Sequence, residues 1–272
     1  MNITELVKAI KSSKKYKHIS EDIIETKVSE YIKKNEGWQS YKEKYLLKEI
    51  KTLLHNIYGS FQVKSRKKRD KFLKELEKNP EDLNVIEKIL TTNRSTRERL
   101  DEYEEIYSEL FKITGKPDSI IDLGCGINPI SSAYYLEKDR KIDYYAYDID
   151  EEDIKFLNHY FKIIENEVNG KAEVLNLSKI ENINKLPNNI DVCLMFKLVD
   201  VLEKKGHKYS EEIIKVLIKK CKFIIVSFPT ISVSGKPMKF AERGWIEKML
   251  ERINLKFEKF ELNTEIFYVI KS

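Results

Sequence analysis

From about residue 118 onward, short apolar runs alternate with amphipathic stretches, and this limits the fold more than any other feature of the chain. The runs are 119–123, 143–147, 172–177, 191–196, 223–228, 256–262 and 265–270. Between the first six, helical spacing predicts helices over 129–138, 151–166, 209–221 and 239–252, with a weaker segment over 179–186. Strands that alternate with helices return parallel to one another through right-handed crossovers, which gives a doubly wound α/β sheet. The last two runs break the rule. Only Asn263-Thr264 separates them, too little for a helix, so they should form an antiparallel hairpin closing a seven-stranded sheet.

The first hundred residues carry almost no strand signal. Tyr45, Leu46, Ile50, Leu53, Leu54, Ile57 and Tyr58 fall at helical spacing within 41–58, and Gly59-Ser60 is a stop. Ser20, followed by Glu21 and Asp22, reads as a helix cap with acids in the first turn. The expected organisation is an all-helical unit over 1–105 and the sheet unit over 106–272. Residues 1–100 hold 24 Lys+Arg and 15 Asp+Glu, a balance of +9, whereas the remaining 172 residues stand at −4. The helical unit is therefore the candidate for docking on a polyanion, nucleic acid first. Its densest basic stretch, "KSRKKRDKFLK", contains Lys64, Arg66, Lys67, Lys68, Arg69 and Lys71. That stretch is either a solvated helix face or a ridge that contacts phosphates.

Other classes are disfavoured. Nine glycines and six prolines in 272 residues leave little room for linkers. No run approaches the roughly 18 apolar residues of a membrane span. The amino end lacks the apolar core and cleavage site of a secretory signal. Three cysteines without a CxxC pair argue against structural zinc or a disulfide framework. The expectation is a cytoplasmic monomer with no metal and no membrane partner.

The chemistry begins at "SIIDLGCGINPI", Ser119–Ile130. In a doubly wound sheet the ligand sits beyond the carboxyl ends of the strands. Gly124 and Gly126 follow the acid Asp122 and allow close backbone approach. A second acid, Asp148, ends the next strand 22 residues after Gly126, where a carboxylate can accept hydrogen bonds from a ribose hydroxyl pair. A dinucleotide fold would place a third glycine at position 129, to pack helix on strand near a pyrophosphate. Here that position is Pro129, preceded by Asn128. Asn128 can take a strained turn and Pro129 can open the next element. The pattern favours S-adenosylmethionine (SAM), which has no phosphate, over a nicotinamide cofactor. Asn176, after the third strand, either reads an adenine edge or starts a loop without a ligand. The fourth strand ends in Phe196-Lys197, not in the acid or Asn followed by Pro-Pro-aromatic of enzymes that methylate exocyclic amines. This suits a nucleophile with a free lone pair, such as a ring nitrogen. Phe196 and Phe228 are either aromatics stacking a flipped base or ordinary core.

The parallel sheet closed by a hairpin resembles the layout of SAM-dependent methyltransferases. More specifically, "STRERLDEYEEIYSELF", "IIDLGCGINPI", "LMFKLVDVLEKK" and "VSFPT" resemble the aminoglycoside-resistance 16S rRNA (guanine-N7) methyltransferases, of the guanine-1405 type. "KSSKKYKHISEDII" and "LLHNIYGSFQ" are similar to that family's helical domain, so the likeness runs over roughly 10–271. The Lys- and Ile-rich, Gly-poor composition suggests a divergent or archaeal-like homologue. The resemblance implies that Arg99 pairs with the SAM carboxylate and that Gly124 and Gly126 line the methionine end. It further implies that Asp148 binds the ribose, with Asp122, Ile149 and Asn176 completing the cofactor site. Lys197 and Glu203 match positions tied to activity or target contact; with Phe196, the strand-end aromatic, they are the expected catalytic residues, and the basic residues of Lys64–Lys71 are the expected RNA contacts. Asn176 stands where an aspartate is usual, and the target-closing segment "TISVSGKPMKF", 230–240, is poorer in glycine than the pattern. The implied partners are 16S rRNA and the small (30S) ribosomal subunit, and the implied product is S-adenosylhomocysteine (SAH). Two other readings stay open: the same chemistry on another RNA, and a SAM- or RNA-binding module with little activity.

Overall fold

The computed structural model describes residues 2–203, 207–232, 236–238 and 242–272. It begins with three helices, α1 (Ile3–Lys11), α2 (Glu21–Lys34) and α3 (Glu43–Leu54). Asn2 caps α1 by accepting from the Glu5 amide while Glu5 returns a bond to the Asn2 amide, so two otherwise orphaned donors are satisfied. The expected helix over 41–58 is present as α3 continued by a π turn, His55–Gly59. The apolar faces of these helices, from Leu6 to Tyr58, form a core of their own, with Ile149 packed against it.

Four further helices follow: α4 (Arg69–Leu76), α5 (Leu83–Leu90), α6 (Arg94–Glu98) and α7 (Tyr103–Thr114). Packing does not change at 105/106. Side chains from Leu73 to Leu110 share one cluster with the sheet residues Ile120, Tyr144, Val192 and Phe267.

The sheet has seven strands: β1 (Ser119–Leu123), β2 (Ile142–Asp148), β3 (Val168–Val174), β4 (Ile190–Phe196), β5 (Cys221–Pro229), β6 (Lys256–Glu261) and β7 (Glu265–Lys271). Their order is β3-β2-β1-β4-β5-β7-β6. The first five are parallel, and β7 pairs antiparallel with both β5 and β6. The predicted α/β sheet with a carboxy-terminal hairpin is the observed one. The crossovers carry α8 (Glu151–Ile163), α9 (Ile180–Asn184), α10 (Val199–Leu202), α11 (Lys208–Leu217) and α12 (Gly244–Arg252).

Three local expectations need correction. The third strand lies at Val168–Val174, not 172–177. It is an edge strand whose register is set by backbone pairing, Ile142 to Val168 through Asp148 to Val174, so it needs little apolar pattern of its own. The apolar run that suggested 172–177 leaves the sheet, and Leu175 and Leu177 line a cleft instead. The helix expected over 129–138 is a buried 3-10 segment, Asn128–Tyr134, with Pro129 in its first turn. The last predicted helix, 239–252, starts at Gly244, and residues 239–241 lie outside the described ones, as do Lys204, Lys205 and part of 230–240. No helix among the described residues is long and apolar enough to cross a membrane.

Candidate active site

A cleft opens beyond the carboxyl ends of β1, β2 and β4. The chain leaves β1 through Gly124 (φ +64°) and Gly126 (φ +52°), a region of backbone space that side chains rarely enter. At Gly124 a methyl group would also lie 2.6 Å from Cδ1 of Leu198. Positive φ at both positions, with the Leu198 contact at Gly124, explains why glycine stands at each.

Asp148 at the end of β2 faces that turn. Its Oδ2 accepts from the Gly126 amide at 2.8 Å, and its Oδ1 accepts from the amides of Ile149 at 2.7 Å and Asp150 at 3.1 Å. Burial raises its pKa to about 7, with the neighbouring charges of Asp153 and Asp150 adding to the rise and the Gly126 amide opposing it.

The Asn-Pro step has a tertiary purpose. Asn128 does not take positive φ, so no strained turn is needed there. Its amide donates to Asp122 Oδ2 at 2.9 Å, and its oxygen accepts from Arg99 Nη1 and from the Tyr103 hydroxyl, both at 3.2 Å. Asp122 also accepts from the Tyr144 hydroxyl at 2.9 Å. Burial lifts Asp122 to about 6, while the bonds from Asn128 and Tyr144 pull the other way. One amide thus bridges a buried acid and a buried guanidinium, which a glycine could not do.

Arg99 is 2% exposed. Its Nε meets Glu265 at 2.6 Å, its Nη2 donates to Ser95 at 2.9 Å, and its guanidinium lies over the Phe196 ring, 4.9 Å from the centroid. Lys197 holds φ +53°, and its ammonium contacts Glu98 at 2.8 Å and Glu265 at 2.9 Å. Ser227 of β5 donates to the other oxygen of Glu265. Burial works to raise the Glu265 pKa, but the Arg99 and Lys197 charges outweigh it and hold the carboxyl below its ordinary value. Sequence reasoning missed Glu265. The available signal was an acid opening an otherwise apolar strand, where an unpaired charge would be expensive to bury.

Of the expected cofactor residues, Arg99, Asp122, Gly124, Gly126, Asp148 and Ile149 line the cleft. Asn176 does not. Its amide donates to Asp22 at 2.8 Å and to Thr26 at 2.9 Å on α2, and its oxygen accepts from the Ser178 amide. An adenine-reading side chain needs a free amide edge, and this one is committed to the helical unit. Phe196 and Lys197 line the cleft, whereas Glu203 lies outside it and accepts from Ser210 at the start of α11. Phe228 is core: it packs edge-on against Trp245 and Tyr268.

The basic stretch divides. Lys64, Lys67, Lys68 and Lys71 are exposed. Arg66 and Arg69, expected on the same ridge, turn inward. Arg66 contacts Asp150 at 2.6 Å and Asp153 at 2.7 Å; Arg69 pairs with Asp153 and donates to Thr92 at 2.7 Å. The reason is electrostatic: the first turn of α8 buries two carboxylates that need cations beside them.

Comparison with known proteins adds an independent line. The family model described as "Ribosomal RNA methyltransferase (FmrO)" matches residues 12–269. The chain is 26% identical over 246 residues to a 16S rRNA (guanine(1405)-N(7))-methyltransferase of Proteus mirabilis, covering 85% of each chain. It is 27% identical over 234 residues to the enzyme of the same name from Micromonospora echinospora, covering 83% of this chain and 82% of that one. The crystal structure of the 16S rRNA methyltransferase RmtF in complex with S-adenosyl-L-homocysteine superposes with a TM-score of 0.80 at 22% identity, covering 100% of this chain and 99% of that one, a likeness of fold.

Proposed function

This chain belongs to the ribosomal RNA methyltransferase (FmrO) family, and from that premise we propose that it methylates N7 of a guanine in the decoding site of 16S rRNA, of the 1405 type named for its relatives, with SAM as methyl donor and SAH as product. Such a modification would confer aminoglycoside resistance, as the family resemblance implies. The observation that carries the reading is the cleft itself. It has a carboxylate at one end (Asp148) and a buried guanidinium at the other (Arg99), joined by the Gly124–Gly126 turn. That layout suits a cofactor with a ribose and an amino-acid end; the turn amides of Cys125, Gly126 and Asn128 that a pyrophosphate would need already donate to Tyr147, Asp148 and Cys125.

Bound there, the cofactor supplies an already activated sulfonium methyl. The protein's task is alignment. Asp148 accepts from ribose hydroxyls and Ile149 supports the adenine side. Gly124 and Gly126 let the methionine end lie against the backbone. Arg99 meets its carboxylate, while Asp122 acts behind them through Asn128. Guanine N7 already carries a lone pair, so no general base is required. Phe196 backs the Arg99 guanidinium from the cleft wall, and Lys197 presents an ammonium that Glu98 and Glu265 hold in place. Asn176 and Glu203 take supporting positions outside the cleft.

We assign RNA docking to residues 1–105, with Lys64, Lys67, Lys68 and Lys71 as phosphate contacts and the helices up to Tyr58 as a separately cored part. The reaction is placed in the cytoplasm on a monomer. Three buried free cysteines fit a reducing compartment.

The test is methyl transfer from labelled SAM to intact small subunits, free 16S rRNA and bulk transfer RNA. Reduction and strand scission then locate N7-methylguanine. Label at the decoding-site guanine is expected. Label confined to transfer RNA would overturn the target, and absence of transfer with SAH still bound would reduce the chain to a binding module.

A further inference from the structure

Much of the cleft wall comes from outside the sheet. Ile23, Lys27, Ile57, Tyr58, Phe61 and Gln62 line it from the helical unit. The same unit grips the segment that follows Asp148. The Ser20 amide donates to the Ile149 carbonyl at 3.0 Å, and the Glu151 amide donates to the His18 carbonyl at 2.8 Å. Lys11 pairs with Glu151 at 3.1 Å.

At the centre is Asp150, 1% exposed. Arg66 engages both its oxygens, at 2.6 and 2.7 Å, and the Tyr58 hydroxyl adds a third bond at 2.5 Å. Asp150 caps α8 by accepting from the Glu152 and Asp153 amides, and its own amide donates to Asp148 Oδ1. A continuous path therefore runs from an arginine of the basic stretch, through a capping acid, to the carboxylate assigned to the ribose. Bidentate arginine–carboxylate pairs fix geometry as well as supply charge.

We propose that Arg66 is a positioning residue for the cofactor: by clamping Asp150 from the helical unit it holds Asp148 in its binding geometry, so that cofactor affinity depends on how that unit is seated. The inference rests on the assignment of Asp148 to the cofactor, and it gives Arg66 a role other than phosphate contact.

The experiment uses the full chain. Calorimetry measures the Kd for SAH in the parent protein, Arg66→Lys, Arg66→Ala, Asp150→Asn and the double variant Arg66→Ala/Asp150→Asn. Steady-state assays separate KM for SAM from KM for small subunits, and a cooperative melt certifies each variant as folded. Arg66→Ala should weaken SAH roughly tenfold or more, the scale of a lost charge-assisted pair. Arg66→Lys, which keeps the charge but not the fork, should fall between it and the parent. The double variant should be no weaker than the worse single one, because both act on one path. KM for SAM should rise while KM for subunits stays within about twofold.

Unchanged SAH affinity in Arg66→Ala, or effects that multiply in the double variant, would overturn the proposal. A rise in subunit KM alone would overturn it too, by returning Arg66 to the phosphate-contacting ridge. If Arg66→Ala does not fold, Arg66→Lys and Asp150→Asn decide by the same criteria. A parent protein that fails to bind SAH would sink the cofactor assignment itself, which is a separate result.

Discussion

Asp148→Asn should make the ligand-free protein more stable at alkaline pH while nearly abolishing cofactor binding. The carboxyl is half-buried at the cleft, and partial desolvation with the nearby charges of Asp153 and Asp150 puts its pKa at about 7 against an ordinary value of 3.8. Holding it ionised in the folded state therefore costs at most about 4 kcal/mol, from some three units at about 1.4 kcal/mol each. Asparagine removes that cost. One of its two polar atoms is a donor, however. The oxygen can keep the Ile149 and Asp150 amides, which leaves the Gly126 amide facing an NH₂ group, a loss of about 1–3 kcal/mol. The net gain is at most about 1–3 kcal/mol. The sign with pH follows from linkage. A folded pKa above the unfolded one gives stability that is full below about 3.8 and lost as pH rises through about 7. Between about pH 5.5 and 8, the parent should lose stability relative to the variant by up to about 1.4 kcal/mol per unit, flattening above 7. Comparing the two proteins cancels the slope of the same sign contributed by Asp122. Urea denaturation of both proteins at the two pH values measures this, and calorimetry with SAH measures the other half. Loss of charge-assisted bonds to two hydroxyls, at about 1.5–3 kcal/mol each, predicts affinity reduced at least about a hundredfold. Parallel pH curves for the two proteins, or an Asp148→Asn protein that is less stable at pH 8, would refute the reasoning.

Gly124→Ala forces a side chain into positive φ, at about 1–2 kcal/mol, and pushes on Leu198; we expect a matching drop in denaturation free energy and at least tenfold weaker SAH binding by calorimetry. Glu265→Gln leaves Arg99 and Lys197 without their shared carboxylate, and removing one member of a buried charge pair should cost about 3–5 kcal/mol; a denaturation shift below 1 kcal/mol would contradict that network. Replacing Lys67 and Lys68 together by Ala should lower the salt slope of rRNA binding by about two, in filter-binding titrations over salt, with SAH affinity unchanged. Asn176→Asp should place a second carboxylate against Asp22 and destabilise the protein in a thermal melt, rather than improve adenine binding.

What could be read in the sequence was local or periodic. Strand and helix alternate because side-chain periods of two and 3.6 are written in adjacent residues, and the hairpin followed from a two-residue gap at Asn263-Thr264. Gly124, Gly126 and Asp148 stood out because a close-approach turn and a strand-end acid carry their own spacing. The edge strand β3 was displaced because its register comes from backbone pairing with β2. Tertiary structure alone decided where the charged side chains go. Arg66 and Asp150 are 84 residues apart in sequence, Arg99 and Glu265 are 166 apart, and Asn176 and Asp22 are 154 apart. No spacing rule reaches that far. A lysine- and arginine-rich stretch is the same string whether its guanidinium groups face solvent or a buried acid, and only the packed fold shows which carboxylates lack a partner without them.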